Sequence, residues 1–178
     1  MIVNVGSMTV TASTFTDNQT SGHEGGTILN AVTLELTNSI LVGNRSRGDF
    51  PDICAYSGNI SGSLNLSSFE DWSDGGNNIL WNSLTPFVNP ERGDFTPADG
   101  SQAVDAGSND LTVTETDLVG YRRIDNEIVD IGSYEYIHSE KTHLNVPSIT
   151  TGKNRFLCLS RCESARNFMD PLRKCERL

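Results

Sequence analysis

Two stretches of this chain align without a gap, 26 residues apart: MTVTASTFTDN (Met8–Asn18) and LELTNSILVGN (Leu34–Asn44). Thr11 meets Thr37, Ser13 meets Ser39 and Asn18 meets Asn44, while apolar Met8, Val10 and Phe15 meet Leu34, Leu36 and Leu41. A unit this short cannot bury its apolar side alone, so it must stack on its neighbour. Each unit reads as an alternating strand, a polar corner, a second short strand and an Asn. Stacking would bring the amides of Asn18 and Asn44 into a ladder, a device of stacked β-structure. Gly25 and Gly26 precede another short strand, Thr27–Asn30, which completes the unit, and Ile2–Val5 reads as the end of an earlier coil. The expectation is an all-β solenoid.

The rest of the composition agrees. Gly, Ser, Thr, Asn and Asp are abundant, which suits short strands with many turns and argues against a helical bundle. The net charge of −10 argues against nucleic acid as a partner, because phosphate binding needs clustered cations. No apolar run reaches the 18 or so residues of a membrane-spanning helix. The opening MIVNVGSM lacks the basic start and apolar stretch of a secretion signal.

After Asn44 the repeat loosens. DFPDIC (Asp49–Cys54) reads as a turn and a strand, Ile60–Leu66 alternates again, and FEDWSDGGNN is a polar loop before a short strand at Ile79–Trp81. Pro86–Pro97 is turn-rich, with Gly93 at its pivot. The block Gly100–Glu135 then reads as two apolar-alternating runs, Gln102–Ala106 and Ile128–Ile131, around a loop holding Asp110, Glu115, Asp117, Arg122, Arg123 and Asp125. Gly107 and Gly132 stop the two runs. Tyr134 and Tyr136 follow at period two, so one face of a last strand is expected to be aromatic.

Charge marks a boundary near Tyr136. Residues 1–136 carry five basic residues, all Arg, against nineteen acidic ones, a net −14; residues 137–178 carry eight basic against four acidic, a net +4. Three of the four cysteines, Cys158, Cys162 and Cys175, lie beyond the boundary. Residues 1–136 are therefore read as the folded body, with 100–136 as its closing block, and 137–178 as a poorly ordered tail.

FTDN (Phe15–Asn18) followed by EGGTI (Glu24–Ile28) resembles the paired FxxN and GGA-type repeats of bacterial polymorphic outer-membrane proteins, with Thr27 where Ala is usual. GDFTPADGSQAVDAG (Gly93–Gly107), TDLVGYRR (Thr116–Arg123) and VDIGSYE (Val129–Glu135) resemble the end of bacterial right-handed parallel β-helix proteins of the choice-of-anchor type. Gln102 stands where that family usually has Pro. The resemblance spans roughly Met8–Glu135. It implies a right-handed parallel β-helix with an irregular C-terminal closing block, secreted or at the cell surface. It also implies an adhesin-like or glycan-associated role without a fixed reaction, because this fold carries binders and enzymes alike. With no leader or anchor visible, the chain is read as the C-terminal piece of a longer protein or a truncated reading frame, and its tail as a foreign or frame-shifted extension.

The competing reading is a fragment of a carbohydrate-active enzyme, a polysaccharide lyase or glycoside hydrolase. Glycoside hydrolysis needs two carboxylates flanking the bond. Asp49, Asp52, Glu70, Asp71, Asp74, Asp105, Asp117 and Asp130 are candidates, but none forms a known local motif. A lyase needs a base beside a cation, and the body holds no Lys and one His, His23. No catalytic residue is assigned. Calcium is the one cofactor considered, through Asp71, Asp74, Asn77 and Asn78. Their spacing matches no calcium loop, and a solvated acidic loop is preferred. Arg122 and Arg123 read either as a polyanion contact or as partners of Asp105, Asp117, Asp130 or Glu135. The second is preferred, with Arg123 as the pairing residue. The tail cysteines, with His138 and His143 distant in sequence, read as chance or a disulfide rather than a metal site, and Cys54 as buried or unpaired. The residues expected to matter are thus structural: Asn18, Asn44, Gly25, Gly26, Asp105, Asp117, Arg123, Asp130, Gly132 and Glu135. Expected partners are glycans or other cell-surface components. The sequons at Asn18, Asn44, Asn59 and Asn65 coincide with the turns.

Overall fold

The computed structural model describes residues 1–21, 26–48, 52–70 and 76–138. Gly25, His23, Asp49, Asp71, Asp74, the tail cysteines, His143 and nearly all of the tail lie outside them.

The fold is an all-β parallel β-helix, and the 26-residue offset is its pitch. The first coil has strands β1 (Ile2–Asn4), β2 (Ser7–Thr11) and β3 (Thr14–Thr16). The second has β4 (Ile28–Asn30), β5 (Thr33–Thr37) and β6 (Ile40–Val42). Pairing is parallel and in step, with Ile2 beside Ile28, Met8 beside Leu34 and Phe15 beside Leu41.

The repeat does not loosen after Asn44. A third coil follows, with β7 (Ile53–Ala55), β8 (Asn59–Ser63) and β9 (Leu66–Ser67), pairing Ile28 with Ile53, Leu34 with Ile60 and Ile40 with Leu66. The run Ile60–Leu66 is thus two strands broken at Leu64. What hid this coil is its substitutions: Gly62 stands in the column of Leu36, and Asn65 in the column of Ser39. Among the described residues a fourth rung is found in the third sheet alone, where β10 (Ile79–Leu80) pairs with β9 after a half-length step.

The same corner recurs in every coil. Ala12, Asn38 and Leu64, each 26 residues from the last, take φ of 46°, 48° and 55°. This left-handed bend turns the second strand of each coil into the third. It costs an ordinary side chain about 1–2 kcal/mol, and only Asn38 is of a type that adopts it readily. Backbone bonds to the coil below hold it, with Ala12 N–H donating to Thr37 and Asn38 N–H to Ser63. At the first corner the backbones approach so closely that a Cβ on Gly58 would strike the backbone of Val32 and the amide of Asn30. Gly58→Ala is therefore expected to destabilise the body by about 1–3 kcal/mol, as over-packing does, read as a lower midpoint in urea.

Two apolar cores follow from the two faces of the third sheet. Inside the coils lie Val10, Ile28, Leu34, Leu36, Leu41, Ile53 and Ile60, with Met8, Phe15 and Phe69 against them. Outside it, Ile40, Val42 and Leu66 pack with Phe87, Ala103 and Ile131. All three residues of β6 are consequently buried, with no alternation.

The closing block forms this outer wall. It begins with an antiparallel hairpin, β11 (Phe87–Asn89) and β12 (Asp94–Pro97), turned by a short 3-10 segment and by Gly93 at φ 78°. Phe87 and Phe95 meet edge to face at 5.5 Å. Beyond the hairpin the expected strands are absent. Gln102–Ala106 is a series of turns with Asp105 at φ 51°, and 128–131 touches it through single bonds, Ile131 N–H to Ala103 and Gly107 N–H to Val129. The expected aromatic strand is irregular too: Tyr134 lies in a bend and Tyr136 in irregular chain, neither in a strand. Local alternation was real, but a left-handed residue in one run and side-chain anchors in the other prevent a ladder.

The block lies along the flank of the coils. Gly132, at φ 107°, donates to the carbonyl of Asn38, and a Cβ there would stand 2.7 Å from Ile40 Cδ1. Ser133 N–H and Oγ meet Thr14 Oγ1 at 3.1 and 3.0 Å, 119 residues away in sequence. The Asn38 amide reaches the same block, exchanging bonds of 2.9 Å with the carbonyl and N–H of Ser108.

Candidate functional site

Three features carry the candidate residues: the polar ladders, a buried charge cluster and an exposed hydroxyl face.

Asn18 and Asn44 form a ladder. The Asn18 amide donates to Asn44 Oδ1 at 3.0 Å, and so does the Asn18 N–H. The Asn44 amide then donates to Asp52 at 2.8 Å. Asp52 is fully buried, takes two further bonds from the N–H and hydroxyl of Ser68, and so ends the ladder. Burial pushes its carboxyl above the ordinary carboxylate range, against the pull of Ser68 and Asn44. Two further ladders escaped the sequence reading. Asn4 donates to Asn30 at 2.7 Å. Ser13 N–H donates to Ser39 Oγ, Ser39 N–H to Asn65 Oδ1, and Asn65 N–H and Nδ2 to Asn78 Oδ1. The 26-residue spacing from Asn4 to Asn30 and from Ser13 through Ser39 to Asn65 was the available signal. Asn44 and Asn65, both in sequons, are buried rungs. Asn78, weighed as a calcium ligand, spends its amide on Gly62 and Asn65.

The second feature gathers Asp105, Asp117, Asp130 and Glu135 near Arg123. Arg123 is 2% exposed. Its Nη1 lies 2.9 Å from Glu135 Oε1, off the line of a hydrogen bond, and its Nη2 donates to the Asp130 carbonyl at 3.1 Å. Asp130 accepts the N–H of Asp105 at 2.7 Å and of Tyr136 at 2.5 Å. Asp130 N–H is shared between both Glu135 oxygens at 3.2 Å. Asp117 accepts from Val119, Tyr121 and Glu135 N–H groups. Asp105 sits at the edge, bonded to Asn126 and 3.3 Å from His138 Nε2. Arg122 takes no part and is exposed.

Burial and the neighbouring Asp130 charge push the Glu135 carboxyl up to about 8, over the opposing pull of Arg123. Burial also raises Asp130. One cation thus faces two deeply buried carboxylates, and the cluster keeps a proton near neutral pH. The sign for stability follows. Between about 4.5 and about 8 the folded chain holds a proton that the unfolded chain has released, so stability falls as pH rises through that window. The melting temperature is expected to be higher at pH 5 than at pH 8, and Glu135→Gln is expected to flatten that slope. A raised carboxyl can mark a general acid, but Asp130 and Glu135 are 1% and 2% exposed and their oxygens are engaged by backbone N–H groups. A substrate cannot reach them, so the cluster acts as a clasp.

The third feature is the outer side of the second sheet. Ser7, Thr9, Thr33, Glu35 and Asn59 stand exposed in register over three coils, with Thr11, Ser61 and Ser63 half-buried beside them, while Thr37 in the same row is buried and donates to Thr11 Oγ1. Strand geometry spaces them about 4.8 Å apart between coils and about 6.8 Å along each strand, on a flat lattice. It offers hydroxyls, one amide and one carboxylate, and no cation.

A shallow hollow of about 150 Å³, lined in part by Asn82, Pro86, Asp99, Ser101 and Gln102, holds one carboxylate. Gln102 is already bonded to Asn82 N–H and the Leu80 carbonyl. Among the described residues no group of three or more His, Cys, Asp or Glu is placed to hold a metal ion, and no helix is long and apolar enough to cross a membrane. Cys54 is buried.

These features define a class by architecture: a stacked parallel-β solenoid with polar ladders and a side wall. No protein-family model, curated protein or solved structure matches the chain.

Proposed function

We propose that this chain is a non-catalytic module of a secreted or cell-surface β-helix protein, adhesin-like or glycan-associated, and the C-terminal part of a longer polypeptide. The resemblance of its FxxN element and closing block to bacterial surface β-helices supports the setting. The observation that carries the binding role is the flat hydroxyl lattice of β2, β5 and β8, which matches the many hydroxyls of a glycan chain with neutral donors and acceptors. The fate of the carboxylates speaks against the enzyme reading. Asp52, Asp117, Asp130 and Glu135, the buried carboxylates among the described residues, are all spent on structural bonds.

A glycan array tests this reading. Binding to one or more neutral glycans is expected, with a loss of about tenfold or more in Thr9→Arg/Ser61→Arg, whose side chains lie on the outer lattice. An array without signal would sink the reading. So would release of reducing sugar or unsaturated ends from a panel of uronic-acid polymers, which would restore the enzyme.

A further inference from the structure

The first coil is an unfinished interface. Ile2 is 37% exposed, while Ile28 and Ile53, below it in the same column, are both at 0%. Met8 and Phe15 are only half-buried, while Leu34 and Leu41 beneath them are at 0%. The top of the inner core is therefore open along three columns at once, one in each sheet.

The ladders say what fits there. In the second coil, Ser39 Oγ and Asn44 Oδ1 accept backbone N–H groups from the coil above, those of Ser13 and Asn18. Ser13 Oγ and Asn18 Oδ1 are the same atoms one rung higher, at the open edge. The matching surface is a backbone running in the same direction, with N–H groups over those two corners and apolar side chains over Ile2, Met8 and Phe15.

The opposite end is not equivalent. The chain at Gly76 passes directly under β8, so close that a Cβ there would collide with the Gly62 carbonyl. A second copy stacking head to tail meets the backbone at Gly76. A second copy meeting edge to edge about a two-fold axis runs antiparallel and loses the register of all three columns.

We infer that the N-terminal face of the first coil is a docking surface for one further parallel β-coil in the 26-residue register, supplied by polypeptide upstream of this module. This rests on the reading of the chain as the C-terminal part of a longer protein. The face takes its coil by strand addition: main-chain bonds give affinity, and the core columns and ladder corners give register.

The test uses the full chain with residues 2–27 duplicated in tandem ahead of Ile2, so that each column gains one residue. Amide exchange at β1, β2 and β3 is expected to slow by about tenfold or more, towards the rates of β4, β5 and β6. A second variant carries the same duplication with one extra residue inside the added copy of β2, between Thr9 and Val10, because the connection between coils already absorbs a one-residue change, Ile28 pairing with Ile53 at 25 residues while Leu34 pairs with Ile60 at 26. That slip turns the inward side chains beyond it outward, and exchange in the first coil is expected to stay fast. Equal protection by both variants, or by neither, overturns the inference. So does protection of the first coil in the unmodified chain that grows with protein concentration, because a second copy would then be the occupant. Glycan binding measured on the same preparations keeps the two proposals apart. An unprotected first coil on a protein that still binds glycan ends this inference alone, whereas a protected coil without glycan binding supports it and ends only the surface-binding role.

Discussion

Arg123→Ala should release the closing block. Arg123 is the cation that faces Glu135 and Asp130, at 2% exposure. Removing one partner of a buried charged cluster leaves the others without compensation and costs about 3–5 kcal/mol. The loss should appear first as new protease cuts between residues 100 and 138, before the coils themselves unfold. Acidification should restore part of it, because burial already holds Glu135 up to about 8 and protonation removes the stranded charge. The variant should therefore regain more stability between pH 8 and pH 5 than the parent does. Arg123→Met combined with Glu135→Leu, which removes both charges and keeps volume, should recover more than either single change. An unchanged protease pattern in Arg123→Ala would show that the block is held by its apolar wall alone.

Asn65→Ala should be the most damaging ladder substitution. Asn65 is fully buried, and its side chain accepts from Ser39 N–H at 2.9 Å and donates to the Leu36 carbonyl at 2.8 Å and to Asn78 at 2.9 Å. Alanine leaves at least two buried backbone groups unpaired, at about 1–3 kcal/mol each. A loss of about 2–5 kcal/mol is expected in urea unfolding. Asn18→Ala removes a half-buried amide at the edge of the stack, whose partner Asn44 keeps other bonds. It should cost about 0.5–1.5 kcal/mol. If the two substitutions cost the same, the ladders are decoration on a fold held by its core.

The contrast between these sites marks how much was legible. Asn18 and Asn44 announce themselves by identity across one period. Asn65 sits in the same column as Ser13 and Ser39, so identity fails while the bonding role is kept. The third coil was hidden for the same reason: Gly62 and Ser63 replace Leu36 and Thr37, and only the register reveals them. In the closing block, the short runs around Val104 and Val129 alternate like strands but never pair, because side-chain anchors such as Asp130 to Asp105 N–H do what a ladder would otherwise do. The acidic residues were visible as candidates. Their roles were not, since a carboxylate's chemistry depends on whether solvent or backbone N–H groups surround it.

The sequence by itself determined the solenoid and its period. A β-strand repeats every two residues and a coil every 26, so inward and outward positions are written locally and recur in register. Only the tertiary structure decided where the closing block goes and which charge pairs with which. It lies on the outer face of β6, where Ile40 and Val42 meet Ile131 and where Ser133 reaches Thr14. Those contacts join residues as much as 119 positions apart with no period between them. They are set by shape, by burial and by the need to pair each polar group taken out of water.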